Sequence, residues 1–294
     1  MKTSPVAATI AAGRRKTNVS RSPIFIIARQ ELTITRRNKW TIIFAVVFGV
    51  LIASIAYFGM KAEGFSGMQN FTRTSASILN LVLYIVPLIS LAMGTLSFTG
   101  DRGSAELLFS QPVEASQIVA GKMLGLFYSI ALSMISGFFL AGGIILLQSG
   151  SEGLTSYFVF VLLSLALALV FLAQSLLVVT LAKRKAKAFG VSLFLWFFFV
   201  LFYDLLAIGI SLFLSGSSVN IFLFLSLFGN PVDIVRVTSL IIFDNVTIFG
   251  PAGAALLRFL GGASLSVILL VSAALVWTVV PTCLSVKLMS KQDF

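Results

Sequence analysis

One carboxylate lies inside the long apolar runs of this 294-residue chain. Asp204 stands in the run 188–214, which carries no other charged side chain. A carboxylate at the centre of a membrane helix costs about 2.5–3.5 kcal/mol, which a partner, water or protonation has to offset. Two uses are open: a proton or cation path, or a structural pairing with Tyr203, another helix or the next outer loop. Because no second acidic residue lies in a predicted span, the structural pairing is favoured.

The other candidate reactive groups lack the partners that their chemistry needs. Ser129, Ser133 and Ser136 lie at helical spacing in one apolar run, but the chain has no histidine and this run holds no lysine that could act as a base. We interpret the serines as polar packing groups, while a membrane enzyme that uses them with Asp204 stays an alternative. Cys283, the single cysteine, is expected to be a small packing residue.

The sequence predicts neither a resident metal nor a nucleotide site in this chain. A phosphate-binding loop of the type Gly-x-x-x-x-Gly-Lys-Ser/Thr is missing, and no acidic cluster has the spacing of metal ligands. Copper selects soft Cys and Met ligands. The predicted spans offer scattered ones with no evident relay, at Met60, Met93, Met123, Met134 and Cys283. The chain is therefore expected to be no enzyme and to bind no metal or cofactor itself.

A charged segment between two apolar runs, 101–122, is the best candidate for contact with a soluble partner. It holds an apolar pair, a helix-breaking proline and two glutamates: Leu107, Leu108, Pro112, Glu106 and Glu114. These residues predict a compact structured element that docks on a cytosolic protein instead of merely joining two helices.

The elements that carry these residues follow from composition. With 58% hydrophobic residues, 11% charged residues and 28 phenylalanines, the chain is too apolar for a single soluble core. About 20 apolar residues cross a membrane, and continuous apolar runs indicate helices, whereas barrel strands would alternate. Six spans are predicted, at 40–60, 78–98, 123–147, 157–182, 188–214 and 260–286. The fold class is thus an all-α membrane protein.

Lys and Arg set the predicted orientation. All but four of the 21 lie in the stretch before the first span, in the second and fourth connections, or after the last span; the exceptions are Lys61, Arg73, Arg236 and Arg258. Basic residues collect on the cytosolic side. We expect a multi-pass protein of the cytoplasmic (inner) membrane with both termini cytosolic. The net charge of +11 then reflects orientation in the bilayer and no nucleic-acid partner.

The first 39 residues divide into two parts. Residues 1–22 are expected to be a mobile basic cytosolic tail and no cleavable signal peptide, because the Arg14-Arg15-Lys16 cluster follows the weak apolar patch instead of preceding it. Residues 23–39 have helical apolar spacing, with arginines between the apolar positions. This pattern predicts an interfacial amphipathic helix whose apolar stripe and arginines meet anionic lipid. A cytosolic extension of the first span is the alternative.

The last outer segment, 215–258, contains apolar pieces at 221–228 and 234–243 that are too short to span. They are predicted to pack at the outer interface as a small extracytoplasmic cap. Between them, Asn230, Pro231, Asp233 and Arg236 have the spacing of a capped turn that starts a helix, with a weak surface ion pair one turn apart. A capped turn is the favoured interpretation, and contact with a partner is the alternative.

These features together resemble a known family. The six spans, the first amphipathic helix and the run Gly103-Ser-Ala-Glu-Leu-Leu-Phe-Ser-Gln-Pro-Val113, followed by Gly121-Lys122, are similar to the permease subunits of ABC-2 type transporters. The resemblance covers nearly everything after the tail, 23–294. Asn230 to Arg236 and the Phe-rich fifth span around Asp204 also resemble the Nos branch of that family.

The resemblance implies an ABC-2 (type V exporter-like) architecture with a separate ATPase. The segment around 101–122 would be the coupling region seated in the ATPase dimer. Its contact residues would be Arg102, Glu106, Leu107, Leu108, Gln111, Pro112 and Glu114. ATP and Mg²⁺ would bind on that partner, and two ATPase subunits imply a homodimer of this chain.

The Nos branch implies a more specific role. Its permeases work with a NosF ATPase and a periplasmic NosD protein in maturing the copper sites of nitrous oxide reductase. Asn230, Pro231, Asp233 and Arg236 would then contact the periplasmic partner. Export of a sulfur compound or mechanical transmission through the cap is preferred over a copper conduit. An ABC-2 exporter of an unrelated substrate and a proton-coupled secondary transporter using Asp204 remain alternatives.

Overall fold

The computed structural model describes residues 23–61, 68–100, 114–150, 153–182, 184–243 and 262–290. In chain order the helices are α1 Pro23–Arg36, α2 Lys39–Met60, α3 Met68–Phe98, α4 Ala115–Ser149, α5 Leu154–Ala182, α6 Lys185–Phe197, a π-helical turn Phe198–Phe202, α7 Tyr203–Ser211, α8 Ser217–Phe228, α9 Pro231–Ile242 and α10 Ala263–Met289. These ranges contain no strand, and the predicted all-α class is confirmed.

Six helical segments are long and apolar enough to cross a membrane, as predicted. They are α2, α3, α4, α5, α10 and the continuous rod of α6, the π-helical turn and α7. Some helices are longer than the predicted spans, because they continue into polar residues that the hydropathy pattern does not assign to a span. Helix α4 has 35 residues, so at 1.5 Å per residue it is about 52 Å long and extends beyond a hydrocarbon core of roughly 30 Å.

Contacts between helix ends define two faces of the bundle. The Lys122 ammonium near the start of α4 donates to the Ser97 carbonyl at the end of α3 over 3.3 Å. The Thr282 hydroxyl near the end of α10 lies 3.8 Å from the sulfur of Met123. We call this the near face; α1 packs beside it, and α2 begins there at Lys39.

Aromatic rings fill the centre and identify the far face. The Phe138 ring makes edge contacts with Phe48 of α2 at 5.6 Å and with Phe160 of α5 at 5.7 Å between centroids. At the end of α9, the Phe243 ring lies 6.1 Å from Phe71 and 5.4 Å from Phe160. Both of these partners stand near the start of a span, so α3 and α5 begin on the far face, where α9 ends.

Helix α1 is amphipathic, as predicted, but its apolar stripe is covered by protein. Ile27, Ala28 and Glu31 are buried against α4 at two glycines. A Cβ added to Gly121 would lie 2.7 Å from Cβ of Ile27, and one added to Gly125 would lie 2.5 Å from the Ala28 carbonyl oxygen. Only glycine allows this approach of the two helices. Helix α4 covers this side of α1, whereas Phe25, Ile26 and Ile34 on its other side are exposed, and the predicted contact of α1 with lipid stays a prediction.

Helices α8 and α9 form a hairpin bent by 106° at Gly229 and Asn230. Helix α9 packs against α3, α5 and α10, and most of its side chains are buried. Of the two pieces predicted to lie at the outer interface, 234–243 is therefore buried among the spans instead, whereas 221–228 keeps Ile221, Leu223 and Leu225 exposed. The physical reason is that α9 is amphipathic: its apolar side chains are buried between the spans, while on its polar side Asp233 pairs with Arg236, which also pairs with Asp204 of the fifth span.

Candidate functional site

The turn of the hairpin lies near the middle of the bundle. The indole N–H of Trp277, at the middle of α10, donates to the Phe228 carbonyl over 3.0 Å. The amide Nδ2 of Asn230 donates to the Phe199 carbonyl, at the middle of the fifth span, over 3.0 Å. Because α9 returns from this depth to the far face at Phe243, the hairpin is re-entrant and does not cross the bundle.

Side chains satisfy the backbone groups that the turn exposes. Asn230, which is fully buried, accepts the Val232 N–H on Oδ1 at 3.0 Å and so caps α9. The Tyr203 hydroxyl donates to the Ser226 carbonyl over 2.6 Å. Non-helical backbone at membrane depth is tolerated only where protein or water satisfies it, and this turn meets that condition with Asn230, Tyr203 and Trp277.

The π-helical turn Phe198–Phe202 supplies the carbonyl that Asn230 uses. In this segment the Tyr203 N–H bonds to the Phe198 carbonyl five residues back, so the regular four-residue ladder is interrupted. Such π-bulges occur mostly at functional sites. Here the interruption turns the Phe199 carbonyl toward the hairpin and joins the fifth span to it.

An ion-pair cluster lies one helical turn from the hairpin's bend. The Arg236 guanidinium Nη1 donates to Oδ2 of Asp204 on α7 at 2.8 Å and to Oδ1 of Asp233 on α9 at 2.7 Å. The side chains of Arg236, Asp204 and Asp233 are 27%, 34% and 13% exposed. Asn230 Nδ2 also donates to Asp233 over 2.9 Å. One cation therefore serves two carboxylates and binds the hairpin to the fifth span.

The predicted pairing of Asp204 with the outer loop is confirmed, and its partner is Arg236. The capped turn is confirmed as well, but the predicted surface ion pair is a three-membered cluster between helices. Asn230 and Pro231 are buried within the chain, so here they build the hairpin. Their direct contact with a periplasmic partner stays a prediction.

Sequence reasoning missed two residues of this site. Trp277 and Tyr203 donate to the hairpin's carbonyls, yet each stands in an apolar run and was assigned no such contact. A signal existed: buried Trp and Tyr need a partner for their N–H or O–H group. The role of the Phe199 carbonyl as the acceptor for Asn230 could not be predicted, because no sequence pattern indicates the π-helical turn.

The predicted coupling residues mostly lie outside the described residues. This applies to Arg102, Glu106, Leu107, Leu108, Gln111 and Pro112. Glu114 is described: it is exposed, directly precedes α4, and accepts the Ser116 hydroxyl at 3.1 Å.

The two helix ends that flank this segment are tied to α1. The Ser97 hydroxyl at the end of α3 donates to the buried Glu31 carboxylate of α1 over 2.5 Å. Lys122 of α4 donates to the Ser97 carbonyl. The end of α3 and the start of α4 therefore contact each other, and both contact α1. Within the described ranges, no group of three His, Cys, Asp or Glu side chains could hold a metal ion.

Among the described residues, six helices long enough to span a membrane, a first amphipathic helix and a re-entrant hairpin form an architecture typical of a membrane permease. The chain belongs to the ABC-2 family transporter proteins, whose family profile matches residues 25–294. Among individual proteins it is similar to the ABC transporter permease protein NosY of Stutzerimonas stutzeri, with 32% identity over 260 residues, 86% of this chain and 91% of the relative. It is also similar to the NosY of Pseudomonas aeruginosa, with 34% identity over 227 residues, 75% of this chain and 82% of the relative.

Proposed function

We propose that this chain couples ATP hydrolysis by a separate ATPase to work across the cytoplasmic membrane in copper-site maturation of nitrous oxide reductase. Its similarity to two NosY permeases over most of its length supports the Nos assignment. The near face is cytosolic and carries both termini, since the basic stretches flank the spans there. Two copies of the chain bind two ATPase subunits, which hold ATP and Mg²⁺.

The ATPase acts through the segment 101–114. This segment joins the end of α3 to the start of α4, and Ser97 and Lys122 hold those two ends together beside α1. A displacement of the segment therefore moves α1, α3 and α4 as one group. The mechanism needs no reactive residue in this chain, because the chain transmits motion.

On the far side, the re-entrant hairpin is the output element. Its bonds to the fifth span through Asp204 and to α10 through Trp277 make it follow both spans when they move. A NosD-like periplasmic partner that rests on the hairpin would receive that motion. The Arg236 link between hairpin and fifth span is the observation that carries this mechanical proposal.

A copper conduit is not favoured by the positions of the soft ligands. Met60, Met93, Met123 and Met134 are buried among apolar side chains. Cys283 is exposed on the surface of α10. Copper needs successive soft ligands along one path, and these side chains do not offer one.

The coupling assignment is tested by copurification with the ATPase. Reversing both charges, Glu106→Lys with Glu114→Lys, should release the ATPase subunit while the spans remain folded. The matched control is Glu63→Lys with Glu152→Lys, the same change of charge in connections on the opposite side of the membrane. If the ATPase stays bound to the first variant, or leaves the control equally, the coupling assignment fails.

The Nos assignment is tested separately by capture of the periplasmic partner. The pair Asp233→Asn and Arg236→Gln removes one charge of each sign, so it loosens the hairpin without a net change of charge. We expect NosD-like protein to be captured more weakly by this variant, while the ATPase still copurifies. Undiminished capture would show that the partner does not bind at the hairpin, and failure of the unmodified chain to capture the partner would contradict the Nos assignment.

A further inference from the structure

The exposed face of α1 combines apolar and cationic side chains. Phe25, Ile26 and Ile34 are 58%, 54% and 57% exposed, although they are large and apolar. Arg29 and Gln30 lie exposed between them. Together with Thr33 they line a groove of about 440 Å³ on the surface of α1. Apolar walls beside a guanidinium group favour an amphiphilic ligand in this groove over water.

The opposite face of α1 fixes the groove in place. Ile27 and Ala28 pack on the two α4 glycines, and Glu31 accepts the Ser97 hydroxyl. Glu31 and Thr35 are buried on this same side. The helix is therefore not free to roll its apolar residues into or out of lipid. It presents the groove in one orientation.

The groove lies at the level where spans meet the head-group region. It is beside the near-face ends of α3 and α4, and α2 starts two residues after α1. Trp40, at the start of α2, is 68% exposed. Tryptophan is enriched at the membrane–water interface, which agrees with this depth.

The charge around the groove has one sign. Arg29, Arg36, Arg37 and Lys39 are all exposed. Glu31 is the acidic residue of α1, and it lies on the buried side. Among the described residues, the ion pairs join only Arg236 to Asp204 and Asp233. The cations of α1 are thus available to an anionic ligand.

We propose that the groove of α1 is a binding site for an anionic phospholipid. The phosphate bonds to Arg29 and Arg36, which stand two turns apart on one line of the helix, and the acyl chains cover Phe25, Ile26 and Ile34. Guanidinium groups suit phosphate because their parallel N–H donors match its oxygens. The site differs from a general attraction to the bilayer because packing on α4 fixes the orientation of the helix that carries the arginines and the apolar wall. It does not depend on the ATPase or on the Nos assignment.

Native mass spectrometry can count the lipid directly. The purified full chain, in mixed micelles of phosphatidylglycerol and phosphatidylcholine in equal amounts, should retain phosphatidylglycerol preferentially. The variant Arg29→Gln with Arg36→Gln should lose about fivefold in this preference for each cation removed. The matched control, Lys185→Gln with Lys187→Gln, removes two exposed cations from the first turn of the fifth span, also on the near face, and should keep the preference within twofold.

A second variant makes the result independent of how well the first one folds. Gln30→Trp fills the groove without changing its charge, and it should also reduce the retained phosphatidylglycerol. Equal retention of both lipids by the unmodified chain would overturn the proposal. So would an unchanged preference in both groove variants, or an equal loss in the control. Loss of the lipid whenever a second copy or the ATPase binds would assign this face to that protein and likewise overturn the proposal.

Discussion

At the scale of single residues, the balance of charge around Arg236 determines how much each polar side chain contributes to the stability of the fold. The guanidinium group lies between the carboxylates of Asp204 and Asp233, at 2.8 and 2.7 Å. Removing the cation leaves two carboxylates close together among the spans. Removing one carboxylate leaves a balanced pair. The two kinds of substitution should therefore differ, although all three residues belong to one cluster.

We expect Arg236→Gln to cost about 3 kcal/mol in the free energy of unfolding, the range for breaking a buried ion pair at one partner. Asp204→Asn should cost about 1 kcal/mol, the loss of one hydrogen bond, since Arg236 keeps Asp233. Thermal unfolding of the chain in micelles measures both. Arg184→Gln, at an exposed position, is the control for loss of a cation. Equal costs for the two cluster variants would contradict the shared-cation arrangement.

Sequence alone identified Asp204 and the Asn230–Arg236 turn and offered the outer loop among the possible partners of Asp204, but it could not choose between those partners. The cost of a carboxylate in an apolar run required a partner, and the Asx-Pro pattern indicated a capped helix start. Which cation meets Asp204 depends on the depth of the hairpin. That depth depends in turn on the Phe199 carbonyl and the indole of Trp277, two contacts that local sequence does not encode.

At the scale of elements, the two glycines of α4 determine the position of α1. A Cβ added at Gly125 would meet the Ala28 carbonyl oxygen and the Leu32 amide nitrogen, which are backbone atoms and cannot rotate away. A single methyl group at this interface therefore has to separate the helices. The pattern Gly121-x-x-x-Gly125 is typical of close helix approach, and the helix that approaches here is α1.

We expect Gly125→Ala to displace α1 from α4. Hydrogen exchange of the α1 amides should then accelerate at least tenfold, because the Glu31–Ser97 contact is lost with the packing. The control is Gly143→Ala in the same helix, where an added Cβ meets nothing within 4 Å. That variant should leave α1 protected and stabilise α4 by up to about 1 kcal/mol, the difference in helix propensity. Continued protection of α1 in Gly125→Ala would contradict the interface.

At the scale of the whole molecule, the six spans were predictable because continuous apolar runs carry a strong signal. Their ends were less predictable, since α3 and α4 continue through polar residues such as Thr72 and Gln117. The hairpin was placed too shallow for a different reason. A short apolar piece is predicted to be interfacial when its length is the only criterion, whereas α9 is buried between α3, α5 and α10.

Orientation is the property of the whole molecule on which the functional proposal depends. In a Cys283→Ser background, a cysteine at Ser116 stands at the near face and one at Ser218 stands at the far face; both positions are exposed. With intact cells, a membrane-impermeant maleimide should label the cysteine at 218 and leave the one at 116 unlabelled. Inverted vesicles should give the reverse pattern. Labelling of position 116 from outside would place the segment 101–114 where no cytosolic ATPase reaches it, and an ATP-driven mechanism through that segment would then be impossible.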